Sequence, residues 1–195
     1  MAIAVRAHAA NALTAARVLL TPVFLVAVWR ASEDSMWGVG AAFAFLLIAA
    51  SDVCDGPVAR RYGAASRLGR VFDHVADLGF LLPALATYVC LGVTPWWVPA
   101  MIGVAFGAYV LDAWLRPATA PAGTVAGKLG HIGGVGNYVL VGVLVCDVSV
   151  GLRWLPAAAF PALYAVVAAY SGAAVAVRML GRRTAAPGPL VAQRD

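Results

Sequence analysis

The chain has 195 residues, of which 63% are hydrophobic and 12% charged, where ordinary soluble domains have about 45–50% and about 25%. A globule of this size has too little interior for so much apolar surface, so the composition excludes a soluble domain and requires lipid as solvent. The net charge of +5 does not indicate nucleic acid, because the basic residues punctuate apolar runs instead of gathering with aromatics on a polar face.

A membrane-crossing helix needs about 20 apolar residues, and the chain reads as an all-α integral membrane protein with six such runs. The first, residues 13–29, follows a polar start with Arg6 and His8; no small-residue cleavage site ends it, so it is expected to remain in the mature protein. Glu33-Asp34-Ser35 separates it from the second run, 37–58. Residues 62–66 lead to the third, 71–93, and Thr94-Pro95 to the fourth, 96–115. Residues 117–127 precede the fifth, 129–150, and the sixth is 154–180. One membrane domain over residues 1–181 and a polar tail over 182–195, broken by Pro187 and Pro189, is the expected organisation. Cys54, Cys90 and Cys146 lie in or beside apolar runs at no metal-ligand spacing and read as small packing residues without a disulfide. Abundant Gly and Ala suit close helix contacts in lipid.

Six crossings put both termini on one side. That side collects twelve of the fourteen Lys and Arg residues, leaving Arg30 and Arg153 on the other, and cytoplasmic loops are the ones enriched in these residues. Cytoplasmic termini are therefore expected. Trp37, Trp96, Trp97 and Trp154 fall at run ends on the opposite side and read as interfacial anchors.

The informative segment is 51–80. It holds Asp52, Asp55, Asp73 and Asp77, each a carboxylate at or inside a membrane boundary, where one costs about 2.5–3.5 kcal/mol by insertion scales. Asp52 and Asp55 are i, i+3 and Asp73 and Asp77 are i, i+4, so each pair projects from one helix face. Four such groups brought together repel unless protons or cations sit among them; metal is the economical reading, and hard oxygen donors suit Mg²⁺, Mn²⁺ or Ca²⁺. Two ions there could clamp a pyrophosphate, and one carboxylate could take a proton from an attacking hydroxyl. Gly56 and Ala59 leave room for a ligand beside the helix, Gly69 does the same on the facing helix, and Arg60 offers a fork matched to phosphate. Pro57 removes an N–H within the second run and predicts a kink there. His74 reads as a local packing or hydrogen-bonding residue.

The segment resembles the signature of the CDP-alcohol phosphatidyltransferases, D-x2-D-G-x2-A-R-x8-G-x3-D-x3-D, carried by Asp52, Asp55, Gly56, Ala59, Arg60, Gly69, Asp73 and Asp77 with every spacing kept. The resemblance implies six transmembrane helices, a homodimer in the lipid bilayer, and two divalent ions, Mg²⁺ or Mn²⁺, on the four aspartates. It implies Asp77 as general base and a CDP-diacylglycerol site with Gly56, Ala59, Arg60 and Gly69. An N-x2-T-x2-R segment seen in similar proteins is matched by Asn11, Thr14 and Arg17, with Pro22 after it, and is assigned to the same donor site. The implied reaction is phosphatidyl transfer to an alcohol acceptor with release of CMP, on the cytoplasmic side of the cell membrane.

Two other readings accommodate the carboxylates. A proton- or cation-coupled transporter uses intramembrane acids as relays, but a relay has no need of Gly, Ala and Arg at fixed spacing. An intramembrane prenyltransferase also holds diphosphate with Asp and Mg²⁺, but with its two Asp clusters much further apart. For the acceptor, Arg116, Lys128 and His131, with Arg67 and Arg70, gather cations on the catalytic side and point to a phosphate-bearing alcohol, glycerol 3-phosphate first. Leu78 stands where many phosphatidylglycerophosphate-forming relatives have a basic residue, and their G-K-x-K-T segment is only partly echoed by 127–131. Asp112 is expected to pair with Arg116 one turn on.

Overall fold

Along α1 (Ala2–Ala31) the buried side chains are Arg17, Thr21, Phe24 and Val28, while Val18, Leu19, Val23 and Val26 are exposed. The buried stripe has the 3.6-residue period and turns the polar side chains of Arg17 and Thr21 inward, while the exposed face is aliphatic, as a lipid environment demands. The computed structural model describes the backbone of residues 2–61, 67–115 and 125–183 and the side chains of 15–53, 75–112 and 132–180. Among these residues the remaining elements are α2 (Met36–Arg61), α3 (Arg67–Cys90), α4 (Trp97–Leu115), α5 (Val125–Leu144) continuing into a π-helical turn (Val145–Ser149), and α6 (Ala159–Arg183), with no strand. Three stretches, Met36–Val53, Ile132–Ser149 and Ala159–Leu180, are long and apolar enough to cross a membrane, and Val75–Cys90 and Trp97–Asp112 are shorter apolar helices. The protein is an all-helical, membrane-embedded bundle.

Local chemistry sets the helix ends. The Asp34 carboxylate accepts the Met36 N–H at 2.9 Å at the start of α2. α3 ends on Gly92, whose φ of 72° allows the Val93 N–H to reach Tyr88 O at 2.9 Å and the Gly92 N–H to reach Val89 O at 3.0 Å; this is the Schellman pattern that satisfies orphan carbonyls. The helix persists four residues beyond the lower edge of the third apolar run, at Arg67, and α1 persists far beyond the first run, because hydropathy marks the lipid-crossing part and not the whole helix.

Two expected runs are corrected at the opposite end of the bundle. Residues 145–149 wind as a π turn, with the Val150 N–H on Val145 O at 2.8 Å. Residues 154–158 are outside any helix: Pro156 interrupts the sixth run, and the Leu155 N–H is taken by the Asp147 carboxylate at 2.9 Å. Trp97 is a further correction. It is half-buried with its ring edge-on to Tyr164 at 6.5 Å, whereas Trp37, Trp96 and Trp154 are exposed as anchors should be.

The helices pack in the order α2, α1, α3, α4, α6, α5, with the π turn closing back onto α2 and α3 also touching α5. α1 thus packs against both aspartate-bearing helices. The core beneath is Phe24, Ile48, Phe80, Leu85, Leu140 and their neighbours. Phe24, Phe45, Phe80 and Tyr138 bring α1, α2, α3 and α5 together, with Phe24 edge-on to Phe80 at 5.2 Å and Phe80 stacked on Tyr138 at 5.8 Å. Small residues permit the closest approaches: a Cβ at Gly38 would stand 1.9 Å from Ser149 O, so only glycine lets α2 meet the π turn.

Candidate functional site

Because successive helices alternate in direction, the start of α1, the end of α2, the start of α3, the end of α4, the start of α5 and the end of α6 share one end of the bundle. Asp52 and Asp77 lie near that end on α2 and α3, and Arg17 joins them. Its Nη2 donates to Asp52 Oδ1 at 3.0 Å and its Nη1 donates to Asp77 Oδ1. The Tyr138 hydroxyl, from α5, donates to the same Asp77 oxygen at 3.3 Å. The guanidinium is 2% exposed, whereas the carboxylates are 36% and 24% exposed, so the cation lies behind them and the anions face the accessible side.

That accessible side is a cavity of about 170 Å³ between α3, α4, α5 and α6. Each helix contributes one stripe: Asp77, Leu78 and Leu81 from α3; Ile102, Ala105, Phe106 and Tyr109 from α4; Gly133, Gly134, Asn137 and Tyr138 from α5; Tyr170, Ser171, Ala174 and Arg178 from α6. Asp52 reaches it from α2, while Arg17 does not line it. Aliphatic and aromatic groups of α3 and α4 form one wall. Arg178 of α6, 3% exposed, also lines the cavity, with Nη1 donating to Ala174 O at 3.1 Å and its guanidinium 5.4 Å from the centre of the Tyr109 ring of α4. Gly133 lets Tyr170 lie against α5, since a Cβ there would stand 2.3 Å from the Tyr170 ring. The Tyr170 hydroxyl is buried without a hydrogen-bond partner among the described residues.

The expected four-carboxylate cluster is seen by halves. Asp52 and Asp77 converge from different helices on one cation, which is the donor chemistry a hard divalent ion takes. Asp55 and Asp73 each lie one turn nearer the α2–α3 connection on described helical backbone; their side chains lie outside the described residues. Among the described residues no group of three or more metal-ligating side chains forms. The described pair fits a divalent ion in the chemistry of its donors, both hard carboxylate oxygens.

Gly56, Pro57, Ala59 and Arg60 lie on α2, Arg67, Gly69, Arg70 and His74 on α3, Asn11 and Thr14 on α1, and Lys128 and His131 on α5, all as helical backbone at the same end. Their side chains lie outside the described residues, and so does the expected kink at Pro57. Arg116 and residues 184–195 lie outside them altogether, while Asp112, the expected partner of Arg116, is buried at 7% exposure. Sequence reasoning missed the cavity groups Tyr109, Asn137, Tyr138, Tyr170 and Arg178. A signal existed: Ser171, Ala174 and Arg178 repeat at i, i+3, i+7 within an apolar run, which marks an inward polar stripe.

The fold and site define a membrane-embedded helical protein with paired acids on the wall of a cavity. The CDP-alcohol phosphatidyltransferase profile matches residues 7–178, and the chain belongs to that family. It is 37% identical over 97 residues, 49% of this chain and 46% of the relative, to a Mycobacterium tuberculosis protein named a probable phosphatidylglycerophosphate synthase. It is 31% identical over 93 residues, 47% and 43% of the two chains, to a CMP-forming cardiolipin synthase of Streptomyces coelicolor. A CDP-diacylglycerol–glycerol-3-phosphate 3-phosphatidyltransferase of Rickettsia felis matches at 34% identity over 67 residues, 34% of this chain and 36% of the relative. The chain spans less than half the length of these curated relatives.

Proposed function

We propose that the protein is a phospholipid-forming enzyme that transfers a phosphatidyl group from CDP-diacylglycerol to an alcohol, releasing CMP. The observation that carries this reading is the meeting of Asp52 and Asp77, from separate helices, on the wall of a cavity that also holds the buried Arg178. Asp52, Asp55, Asp73 and Asp77 hold two divalent ions, Mg²⁺ or Mn²⁺, which when bound would neutralise the pyrophosphate and polarise the phosphorus under attack. Gly56, Ala59, Arg60 and Gly69 receive the cytidine diphosphate part of the donor, and Asn11 and Thr14 belong to the same region. Asp77 takes the proton of the acceptor hydroxyl as that oxygen bonds to the diacylglycerol-bearing phosphorus and the bond from this phosphorus to CMP breaks.

The acceptor carries phosphate, with glycerol 3-phosphate the first choice. Its anion is drawn to Arg178 inside the cavity and to Arg67, Arg70, Arg116, Lys128 and His131 at the same end of the bundle. The apolar wall of Leu78, Leu81, Ile102 and Phe106 favours a second acceptor, phosphatidylglycerol, whose acyl chains that wall would accommodate. The domain extends over residues 1–181 with a polar tail over 182–195. It works as a homodimer in the cell membrane with termini and site on the cytoplasmic side.

Purified protein, CDP-diacylglycerol and Mn²⁺ supplied with glycerol 3-phosphate, phosphatidylglycerol, serine or inositol phosphate tests this directly. CMP release should be fastest with glycerol 3-phosphate. Faster release with phosphatidylglycerol moves the assignment to the second acceptor, and no CMP with any alcohol rejects phosphatidyl transfer.

A further inference from the structure

Arg17 is a charged residue buried at 2% exposure inside a lipid-facing bundle, a placement that is costly unless its partners require it. It is set from the far side of the carboxylates. Asp52 and Asp77 line the cavity and Arg17 does not, so a substrate in the cavity meets the acids and not the guanidinium. Among the described residues α2 and α3 each pack along α1, and the Asp52 and Asp77 carboxylates lie within contact of one another. The cation shared by the two like charges is the Arg17 fork, with one arm on Asp52 Oδ1 at 3.0 Å and the other on Asp77 Oδ1. Its own turn is braced by the Thr21 hydroxyl, which donates to Arg17 O at 2.8 Å in the turn before Pro22.

We infer that Arg17 is a positioning residue of the metal site: a fixed cation behind the acids that sets the spacing of Asp52 and Asp77 and offsets part of the cluster's negative charge. This rests on the phosphatidyl-transfer reading and departs from the resemblance, which would put Arg17 on the donor. The two roles predict different kinetics. A donor ligand acts through donor KM. A cation behind the acids acts on metal affinity and on turnover, because the unit charge it places a few ångströms from the acids weakens their hold on a second cation. Its planar fork spans two carboxylates, which a lysine ammonium cannot do in the same geometry.

The test is a Mn²⁺ titration of purified protein without substrate, read by the electron paramagnetic resonance of free Mn²⁺, alongside CMP release from CDP-diacylglycerol. Arg17→Gln should bind Mn²⁺ about tenfold tighter than wild type, while kcat falls about a hundredfold and donor KM stays within about threefold. Arg17→Lys, which keeps the charge but not the fork, should keep Mn²⁺ affinity within about threefold and still lose about tenfold in kcat. Unchanged Mn²⁺ affinity and kcat in Arg17→Gln, or a loss confined to donor KM, overturns the inference. If Arg17→Gln does not stay monodisperse in detergent, Arg17→Lys decides: unchanged kcat rejects the role of the fork. A wild type that binds no Mn²⁺ overturns the metal reading itself. A wild type that binds Mn²⁺ but releases no CMP overturns the transfer reading, and the Mn²⁺ affinity of Arg17→Gln then decides the inference by itself: tighter binding supports it and unchanged binding rejects it.

Discussion

At the scale of single residues, the site is governed by the cost of charge in a low-dielectric bundle. Truncating one partner of a buried ion pair costs about 3–5 kcal/mol, because the other charge is stranded. Asp52→Asn and Asp77→Asn are expected to differ on that ground. Asp52 would lose its role as a metal ligand, so Mn²⁺ affinity and turnover should fall together by about a hundredfold or more. Asp77 is tied to Arg17 and Tyr138 and is also assigned the proton, so Asp77→Asn should abolish turnover while leaving residual donor binding. Equilibrium binding of CDP-diacylglycerol beside CMP release separates the two; equal turnover by Asp77→Asn and wild type would remove the general-base assignment. Arg178 lines the same cavity, over Tyr109. A charge-assisted contact to an acceptor phosphate is worth about 1.5–3 kcal/mol, which is about 10–100-fold in affinity. Arg178→Ala should therefore raise acceptor KM by about that factor with donor KM nearly unchanged, and Lys128→Ala should do the same to a smaller extent. Unaltered acceptor kinetics in both would remove the acceptor assignment of these cations.

At the scale of elements, the bundle depends on helix approaches that only small side chains permit. Gly38 and Ser149 show it most sharply. A methyl at 1.9 Å from a backbone oxygen cannot be relieved by a rotamer change, so α2 must move away from the π turn. Overpacking of this kind costs about 1–3 kcal/mol. Gly38→Ala should lower the melting temperature in detergent, while Gly40→Ala, with open space around the new methyl, should be neutral or slightly stabilising because alanine favours the helix. Equal melting temperatures for the two would show that the approach contributes nothing. The π turn itself is held by the Tyr88 hydroxyl against the Ser149 hydroxyl at 2.8 Å and by Asp147 on the Leu155 N–H. It closes the bundle at the end opposite the acids.

At the scale of the whole molecule, topology decides which solution the site faces. Six crossings would put twelve of the fourteen basic residues on one side, which predicts that the α2–α3 connection is cytoplasmic and the α1–α2 turn is not. In a cysteine-free background, Asp34→Cys should react with an impermeant maleimide added to intact cells and Ala65→Cys should not. The reverse pattern would invert the bundle.

Much of this was legible from the amino acids, and for a physical reason. Apolar excess specifies lipid, run lengths specify long apolar helices, and the cost of charge in lipid singles out Asp52 and Asp77 as residues that must find a partner. All of these are local properties. Run ends were less legible where a proline or a side-chain carboxylate took over the backbone, as at Pro156 and Asp147, and Trp97 was mistaken for an anchor because hydropathy does not tell a lipid contact from a Tyr164 contact. What only the tertiary structure decided is which helices are neighbours. It set α1 between the two acid-bearing helices, so that Arg17 became their inner cation, and it turned Arg178, by sequence one more basic residue at a membrane edge, into the wall of their cavity. Those relations join residues 35 and 60 positions apart in one case, and no local period encodes a contact that depends on how glycines and aromatics on other helices let the bundle close.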